Sequence, residues 1–467
     1  MRRYSHLSAE VTALSLEAIL KRVAGEVTPS ASRRRAVSSV LERVIAGFER
    51  ATATVKVKPS IRVGGSFAHD TWLPTDTDVD VFMLYPKEVE REEFERSGLE
   101  LAERALADHS PVRRYAEHPY IEARLDQVIV NAVPCYDVPR GGWLSAADRS
   151  PHHTSYMQAK LTEGHKAQVR ILKQFMRAQG LYGAEIKVRG FSGYACEVLT
   201  LKYGTFLSFV TEAARWSRGQ VVSLEGGEER ASLLFRDAPL IILDPVDTTR
   251  NLASAVSPEK LGELIFLSRS FLASPSYSFF RERKLKPLDS PPRHIVDNTL
   301  LLRFDYRDKS EDILWGELWK TAEGLAKHLE KDGLHVLRYT ISAREGRAAV
   351  AFLISSLDLP EVLYRRGPDI FMAEAVSNFM ASAARCSDSW WMGDDLRVRT
   401  VARADAHTAV DLITKYMKNP VGTVGFARGL ADDAISTYDV LAGPRAYSSR
   451  RATDREALGQ LAGYRFG

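Results

Sequence analysis

Two aspartates separated by one residue, Asp78 and Asp80, follow shortly after a Gly64-Gly65-Ser66 turn. Side chains on a strand repeat with period 2, so both carboxylates point to one face. Two convergent carboxylates can hold Mg²⁺, a hard cation that takes oxygen ligands and is commonly bound by one or two carboxylates together with substrate phosphates. Gly65 and Ser66 offer a backbone N–H and a hydroxyl to a phosphate, and a helix start behind them adds a favourable dipole. The two motifs together point to transfer of a nucleotidyl group. Each alone says less, because Asp-rich turns before strands are common and Asp76-Thr77-Asp78 could simply cap a loop.

These groups need a sheet beneath them and helices around them. Residues 61–64 and 77–85 read as strands, as do the segments around Tyr120 to Ala123 and Gln127 to Val133. Residues 8–50 read as helical, broken near Gly25 and Pro29, with apolar bands at Leu14, Leu16, Ile19 and Leu20 and at Val37, Val40, Leu41, Val44 and Phe48. Glu88 to Ala107 carries Leu99, Leu101 and Leu106 on a charged background, the pattern of an amphipathic helix. Pro134, Pro139, Gly141 and Gly142 mark a break near residue 145. A helix is expected from Lys166 to Ala178, closed by Gly180, then two helical segments over 193–217 and a short buried strand at Leu240 to Leu243. Ser274-Pro275-Ser276 and the basic stretch Arg281 to Lys286 mark a second break, near 270–290. Beyond it a strand (Asn298 to Phe304), a helix (Leu314 to Leu329) and strands near 335–341 and 347–355 give an α+β order.

The chain has 467 residues, 45% hydrophobic and 27% charged, with a net charge of +4. That is room for two to four domains of ordinary globular composition. The mild positive charge is compatible with a nucleic-acid partner without demonstrating one. Three cysteines, Cys135, Cys196 and Cys386, lack metal-ligand spacing, so no disulfide framework or zinc site is expected and a cytoplasmic setting fits. No apolar run approaches the roughly 20 residues needed to span a membrane, and no secretory signal is evident in Met1 to Ser5.

Longer blocks carry a resemblance. Tyr115-Ala116-Glu117-His118-Pro119-Tyr120, Val133-Pro134-Cys135-Tyr136, Tyr182-Gly183-Ala184-Glu185 through Phe191-Ser192-Gly193-Tyr194, Asp244-Pro245-Val246-Asp247 with Arg250-Asn251, and Arg365-Arg366-Gly367-Pro368 resemble the archaeal class I CCA-adding enzymes, tRNA nucleotidyltransferases of the DNA polymerase β superfamily. The last fifty residues match least well. The resemblance implies an α+β, multidomain protein: a polymerase-β-like nucleotidyltransferase catalytic domain over 1–145, a central helical domain completing the nucleotide pocket over 146–275, and a C-terminal α+β RNA-binding region over 276–467. It implies template-independent addition of C, C and A to the 3′ end of tRNA from CTP and ATP, by attack of the 3′-hydroxyl on the α-phosphorus with release of pyrophosphate, assisted by Mg²⁺. The partners implied are tRNA, ATP and CTP, with no membrane and with a homodimer left open.

Asp78 and Asp80 match the family's first two metal carboxylates. Gly65 and Ser66 would meet the triphosphate, His153, Lys173 and Tyr182 the phosphates and sugar, and Arg250 the edge of the incoming base. By residue chemistry alone each of the last four is more readily an ordinary loop, helix-face or core residue. Trp390-Trp391 is expected to pack in a core rather than to stack on bases. Arg281, Arg283, Lys284 and Lys286 read as a solvated basic loop.

Two positions depart from the family. The third metal carboxylate falls at Asn131, which offers one neutral carbonyl and cannot take a proton from the 3′-hydroxyl. His69 stands where the family usually has an arginine near the phosphates. Asp126 lies five residues before Asn131 and would face the other way on an unbroken strand. Asp76 is in register with Asp78 but sits in the turn. An enzyme with a weakened metal site, a catalytically silent homologue that still binds tRNA or nucleotide, and another terminal nucleotidyltransferase are the competing readings. The intact Asp78, Asp80, Lys173, Tyr182 and Arg250 favour the first.

Overall fold

A computed structural model of the chain describes residues 16–75, 77–115, 119–282, 291–404 and 406–463. Asp76, the helical expectation for residues 8–15, and Arg283, Lys284 and Lys286 lie outside them. The chain forms two compact units, Met1–Arg283 and Lys284–Gly467.

The first unit is built on a mixed five-stranded sheet of order β1-β2-β5-β4-β3. Its strands are β1 (Ser60–Gly64), β2 (Asp78–Pro86), β3 (Val112–Tyr115), β4 (Pro119–Leu125) and β5 (Val128–Asp137). The central pair β2–β5 is parallel and the other pairs are antiparallel. The alternation in β2 and β5 divides the sheet into two chemistries. Val79, Val81 and Met83 with Val128, Val130 and Ala132 face a core closed by α2 (Ala31–Thr52) and α4 (Arg91–Ala105), which contribute Val37, Val44, Phe48, Phe94 and Leu101. Asp78, Asp80 and Asn131 occupy the alternate positions. Helix α2 starts where Ser30 accepts from the backbone N–H of Arg33, satisfying one of the orphan donors of its first turn. Before it, residues 16–27 form helix α1.

Helices α3 (Gly65–His69), α5 (Arg149–Lys160), α6 (Glu163–Ala178), α7 (Gly193–Tyr203) and α8 (Phe206–Ala213) follow. Short parallel strands β6 (Gln220–Val222) and β7 (Leu240–Ile242) bracket α9 (Glu228–Leu234), and α10 (Pro258–Ala273) closes the unit. These helices share a second core in which Phe175, Phe206, Phe271 and Phe280 pack edge to face or tilted. The helix expected from Lys166 begins one capping box earlier, at Thr162, and ends at Gln179 with Gly180 at φ +68.

The second unit carries an antiparallel sheet of order β14-β8-β10-β9, made of β8 (Thr299–Asp305), β9 (Val336–Arg344), β10 (Arg347–Ile354) and β14 (Asp439–Ala442). Short helix α11 (Arg293–Asp297) leads into β8. Helices α12 (Glu311–Lys331), α14 (Ala409–Tyr416), α15 (Pro420–Val424) and α16 (Arg428–Thr437) share one core with this sheet. Helices α17 (Pro444–Tyr447) and α18 (Ala452–Ala462) share another with Leu301, Ala349 and Ala351. A separate three-stranded sheet, β11-β13-β12, holds β11 (Val362–Asp369), β12 (Ser389–Met392) and β13 (Arg397–Arg403), with α13 (Ala373–Ala383) against β11.

The tryptophan pair corrects one expectation. Trp390 and Trp391 are not core residues: they lie on edge strand β12 and are 61% and 43% exposed. Neighbours on a strand face opposite sides, so no single core could take both. Asp126 corrects another, because it is not on a strand. It occupies the β4–β5 turn at φ 55 and pairs with Arg43 at 2.7 Å.

Candidate active site

The sheet places Asp80, Asn131 and Glu122 in one row. Asp80 is the register partner of Asn131 across β2–β5, and Asn131 that of Glu122 across β5–β4. Asp78 is one pleat away on the same face. Asn131 Nδ2 donates to Asp80 Oδ1 at 3.2 Å. Burial holds the Asp80 carboxyl above the usual carboxylate range, an effect that the Asn131 hydrogen bond and His69 partly offset.

The Gly64-Gly65-Ser66 turn lies directly on this row. Gly65 has φ +66, and a methyl group there would run into Asp80 Oδ2, so only glycine lets the backbone approach the carboxylate. Its N–H points to Thr154 Oγ1 on α5 at 3.4 Å. Ser66 follows in α3, which is five residues long, so the helix-dipole contribution expected there is small.

His69 and Lys173, both expected at the phosphates, meet a carboxylate that sequence reasoning did not single out. Glu197 on α7 is 2% exposed. It lies 3.2 Å from His69 Nδ1 and 3.4 Å from Lys173 Nζ, and it accepts from Thr71 Oγ1. Lys173 also donates to the Thr71 carbonyl at 3.3 Å and hydroxyl at 3.2 Å. Burial alone would raise the Glu197 pKa, but Lys173, His69 and Thr71 outweigh it and bring it down to about 2. This cluster ties α3 to α6 and α7. Tyr182 joins it at Gly193, whose missing Cβ would sit 2.9 Å from Tyr182 Oη and 3.5 Å from Lys173 Nζ.

His153 and Arg250 are gathered by a second unpredicted residue. Asp244 is fully buried. Its Oδ2 lies 2.8 Å from His153 Nε2 and 3.7 Å from Arg250 Nη1, while Oδ1 accepts from the Val246 N–H at 2.9 Å. The Tyr194 ring stacks on His153 with centroids 4.0 Å apart. Arg149 holds Asp247 at 2.6 Å, and Asn251 closes the loop by bonding Ile242, Ala253 and Leu240. The Arg250 side chain stays 45% exposed beside the buried Asp244. Sequence signals for these residues existed: Glu197 is a lone carboxylate in the apolar run Ala195 to Leu199, and Asp244-Pro245 is a turn former at the end of a buried strand.

Asp78 and Asp80 have the donor chemistry and the shared face for one hard cation held jointly with phosphate oxygens. Among the described residues no three His, Cys, Asp or Glu side chains are grouped to hold a metal, and the third position directs an amide N–H at Asp80 instead of a carboxylate.

This geometry, a carboxylate pair under a glycine turn on a small mixed sheet, is that of a nucleotidyltransferase, and the Nucleotidyltransferase domain family matches residues 49–153. The second domain of tRNA nucleotidyltransferase matches residues 167–281, and the C-terminal domain of the CCA-adding enzyme matches residues 297–443. The chain is 34% identical to a CCA-adding enzyme of Methanopyrus kandleri over 449 residues, covering 90% of each chain. It is 33% identical to that of Sulfolobus acidocaldarius, covering 81% of this chain and 86% of the relative, and 32% identical to that of Halobacterium salinarum, covering 91% and 94%. Among solved structures it is similar to CdnC of E. coli MS115-1 with ATP, at 15% identity and a TM-score of 0.41 over 56% of this chain and 94% of that one. The chain belongs to the CCA-adding enzyme family, and it is a tRNA nucleotidyltransferase. Among the described residues no helix is long and apolar enough to cross a membrane.

Proposed function

We propose that this chain adds C, C and A to the 3′ end of tRNA from CTP and ATP, with Mg²⁺ as the divalent cation and the residues above in the following roles. Asp78 and Asp80 hold the cation. When bound, Mg²⁺ supplies charge neutralisation of the triphosphate and a lowered pKa of the attacking hydroxyl. The Gly65 turn and Ser66 receive the triphosphate. The Glu197 cluster fixes Lys173, His69 and, through Gly193, Tyr182 along that side. Asp244 orients His153 and the Arg250 fork, whose planar donors suit the edge of a cytosine or adenine. The 3′-hydroxyl attacks the α-phosphorus and pyrophosphate leaves. Asn131 cannot accept the hydroxyl proton, so its part is to hold Asp80 in place.

The observation that carries this reading is the seating of Gly65 directly on Asp80, which brings the phosphate-facing backbone to the carboxylate pair. The same unit has two separate cores, one under the sheet and one among the helices. They support a catalytic part over 1–145 and a central part over 146–275, with Val23, Val27, Leu73 and Phe280 packed into the central core from outside its bounds, and 276–467 is left to bind tRNA. The test is extension of a tRNA lacking its CCA end, with CTP, ATP and Mg²⁺. Three added nucleotides support the proposal; an open-ended ladder would replace it with another terminal transferase.

A second reading has one observation in its favour. The Asn131 to Asp80 hydrogen bond occupies an oxygen that a metal would use. If the unmodified chain binds tRNA and nucleotide but adds nothing, while Asn131→Asp restores addition, the natural chain is a silent member of the family.

A further inference from the structure

The second unit contains a cavity of about 480 Å³ lined by Arg303, Arg347, Arg445, Arg450 and Arg451, with Ser448 and Ser449. It lies where β8 and β10 meet the segment between β14 and α18. Five of its lining residues, Arg445, Ser448, Ser449, Arg450 and Arg451, fall past the end of the family C-terminal match at residue 443. The cavity is therefore built largely by a part of this chain that the family description does not cover.

Its floor is neutralised. Arg303 bonds Asp439 through Nε and Nη2 at 3.1 and 2.6 Å, and Asp454 through Nη1 at 3.0 Å. Ser449 donates to the same Asp454 oxygen at 2.6 Å. Its rim is not. Arg347, Arg445 and Arg450 are exposed and make no ion pair among the described residues, and Arg451 reaches Asp305 only at 3.7 Å. Five arginines against three aspartates leave a surplus of two positive charges. Arg451 is also the N-cap of α18, an eleven-residue helix without a side-chain cap whose first turn carries Asp454. Leu441 is the sole apolar side chain in the lining, and there is no aromatic. The cavity can grip phosphoryl oxygens through arginine forks but offers no wall to a base or sugar.

We infer that this cavity binds phosphodiester oxygens of the tRNA backbone, an inference that rests on the placement of tRNA binding in residues 276–467. A free phosphoanion is the other source of the same chemistry. The test uses the full chain and its double variant Arg445→Gln/Arg450→Gln, with Arg445→Lys/Arg450→Lys as the charge-preserving control. Affinity for a tRNA lacking CCA is measured from 50 to 200 mM salt. Loss of two phosphate contacts is expected to make the slope of log K against log salt shallower by about 1–2, with the Lys variant close to the unmodified chain. An unchanged slope in the Gln variant overturns the proposal. So does pyrophosphate or ATP binding by calorimetry that the Gln variant alone loses at unchanged slope, which would assign the cavity to a free phosphoanion. Photocrosslinking of tRNA to the unmodified chain separates the two levels. Crosslinks within 291–463 with an unchanged slope reject the cavity but keep the region, whereas none there rejects both.

Discussion

The side-chain amide of Asn131 donates to Oδ1 of Asp80 at 3.2 Å across a parallel strand pair whose register sets the two residues side by side. An amide at this position does electrostatically what a cation would do: it directs positive charge at the carboxylate. It does so without supplying a third negative ligand.

Restoring that charge has a two-sided expected outcome. Asn131→Asp sets a second carboxylate beside Asp80, whose pKa is already raised by burial, so the metal-free variant should melt a few degrees lower through like-charge repulsion. Added Mg²⁺ should raise its melting temperature by more than it raises that of the unmodified chain. CCA addition should rise about tenfold or more in kcat, as for a group acting in the transition state. Thermal melts with chelator and with Mg²⁺, beside single-turnover extension, check both halves.

Gly65→Ala should abolish extension while leaving a folded protein. The residue sits at φ +66 and its new methyl would meet Asp80 Oδ2. The backbone cost is about 1–3 kcal/mol in urea unfolding, and the larger effect falls on kcat because Asp80 must move.

Glu197→Gln should be costly to the fold. It leaves Lys173, 1% exposed, without its charge partner, and breaking a buried pair in this way costs about 3–5 kcal/mol. Chemical denaturation measures it, and a change below 1 kcal/mol would show that the cluster does not hold α3 to α7.

The same carboxylate sets a pH dependence. Its folded pKa of about 2 lies below the ordinary glutamate value of 4.5. The unfolded chain therefore binds the proton more readily, and Glu197 adds stability that is fully present above pH 4.5 and disappears as pH falls toward 2. Unfolding free energy followed across that window should fall for the unmodified chain and should lack this component in Glu197→Gln.

Trp390→Ser and Trp391→Ser should each change stability by no more than about 0.5 kcal/mol, as surface substitutions do. Both rings are exposed on an edge strand. A loss of several kcal/mol would return them to a core.

What was legible in the sequence is what depends on neighbours along the chain. Asp78 and Asp80 share a face because a strand repeats every two residues, and the Gly64-Gly65-Ser66 turn announces a close backbone approach by composition alone. The elements expected at 61–64, 77–85, 166–178, 240–243, 298–304, 314–329 and 347–355 fall within a few residues of β1, β2, α6, β7, β8, α12 and β10, whereas the short strands β3 and β6 and the β11-β13-β12 sheet carried no such expectation. The departure at Asn131 was equally visible, since it is a matter of residue type. The partners of these residues were decided by packing. His69 and Glu197 are 128 positions apart, and His153 and Asp244 are 91 apart. The first pair exists because α7 is laid against the turn above the sheet, and the second because α5 meets the loop that follows β7. A buried carboxylate recruits whichever donors the tertiary fold brings to it, since leaving it unpaired would cost more than any local preference can supply.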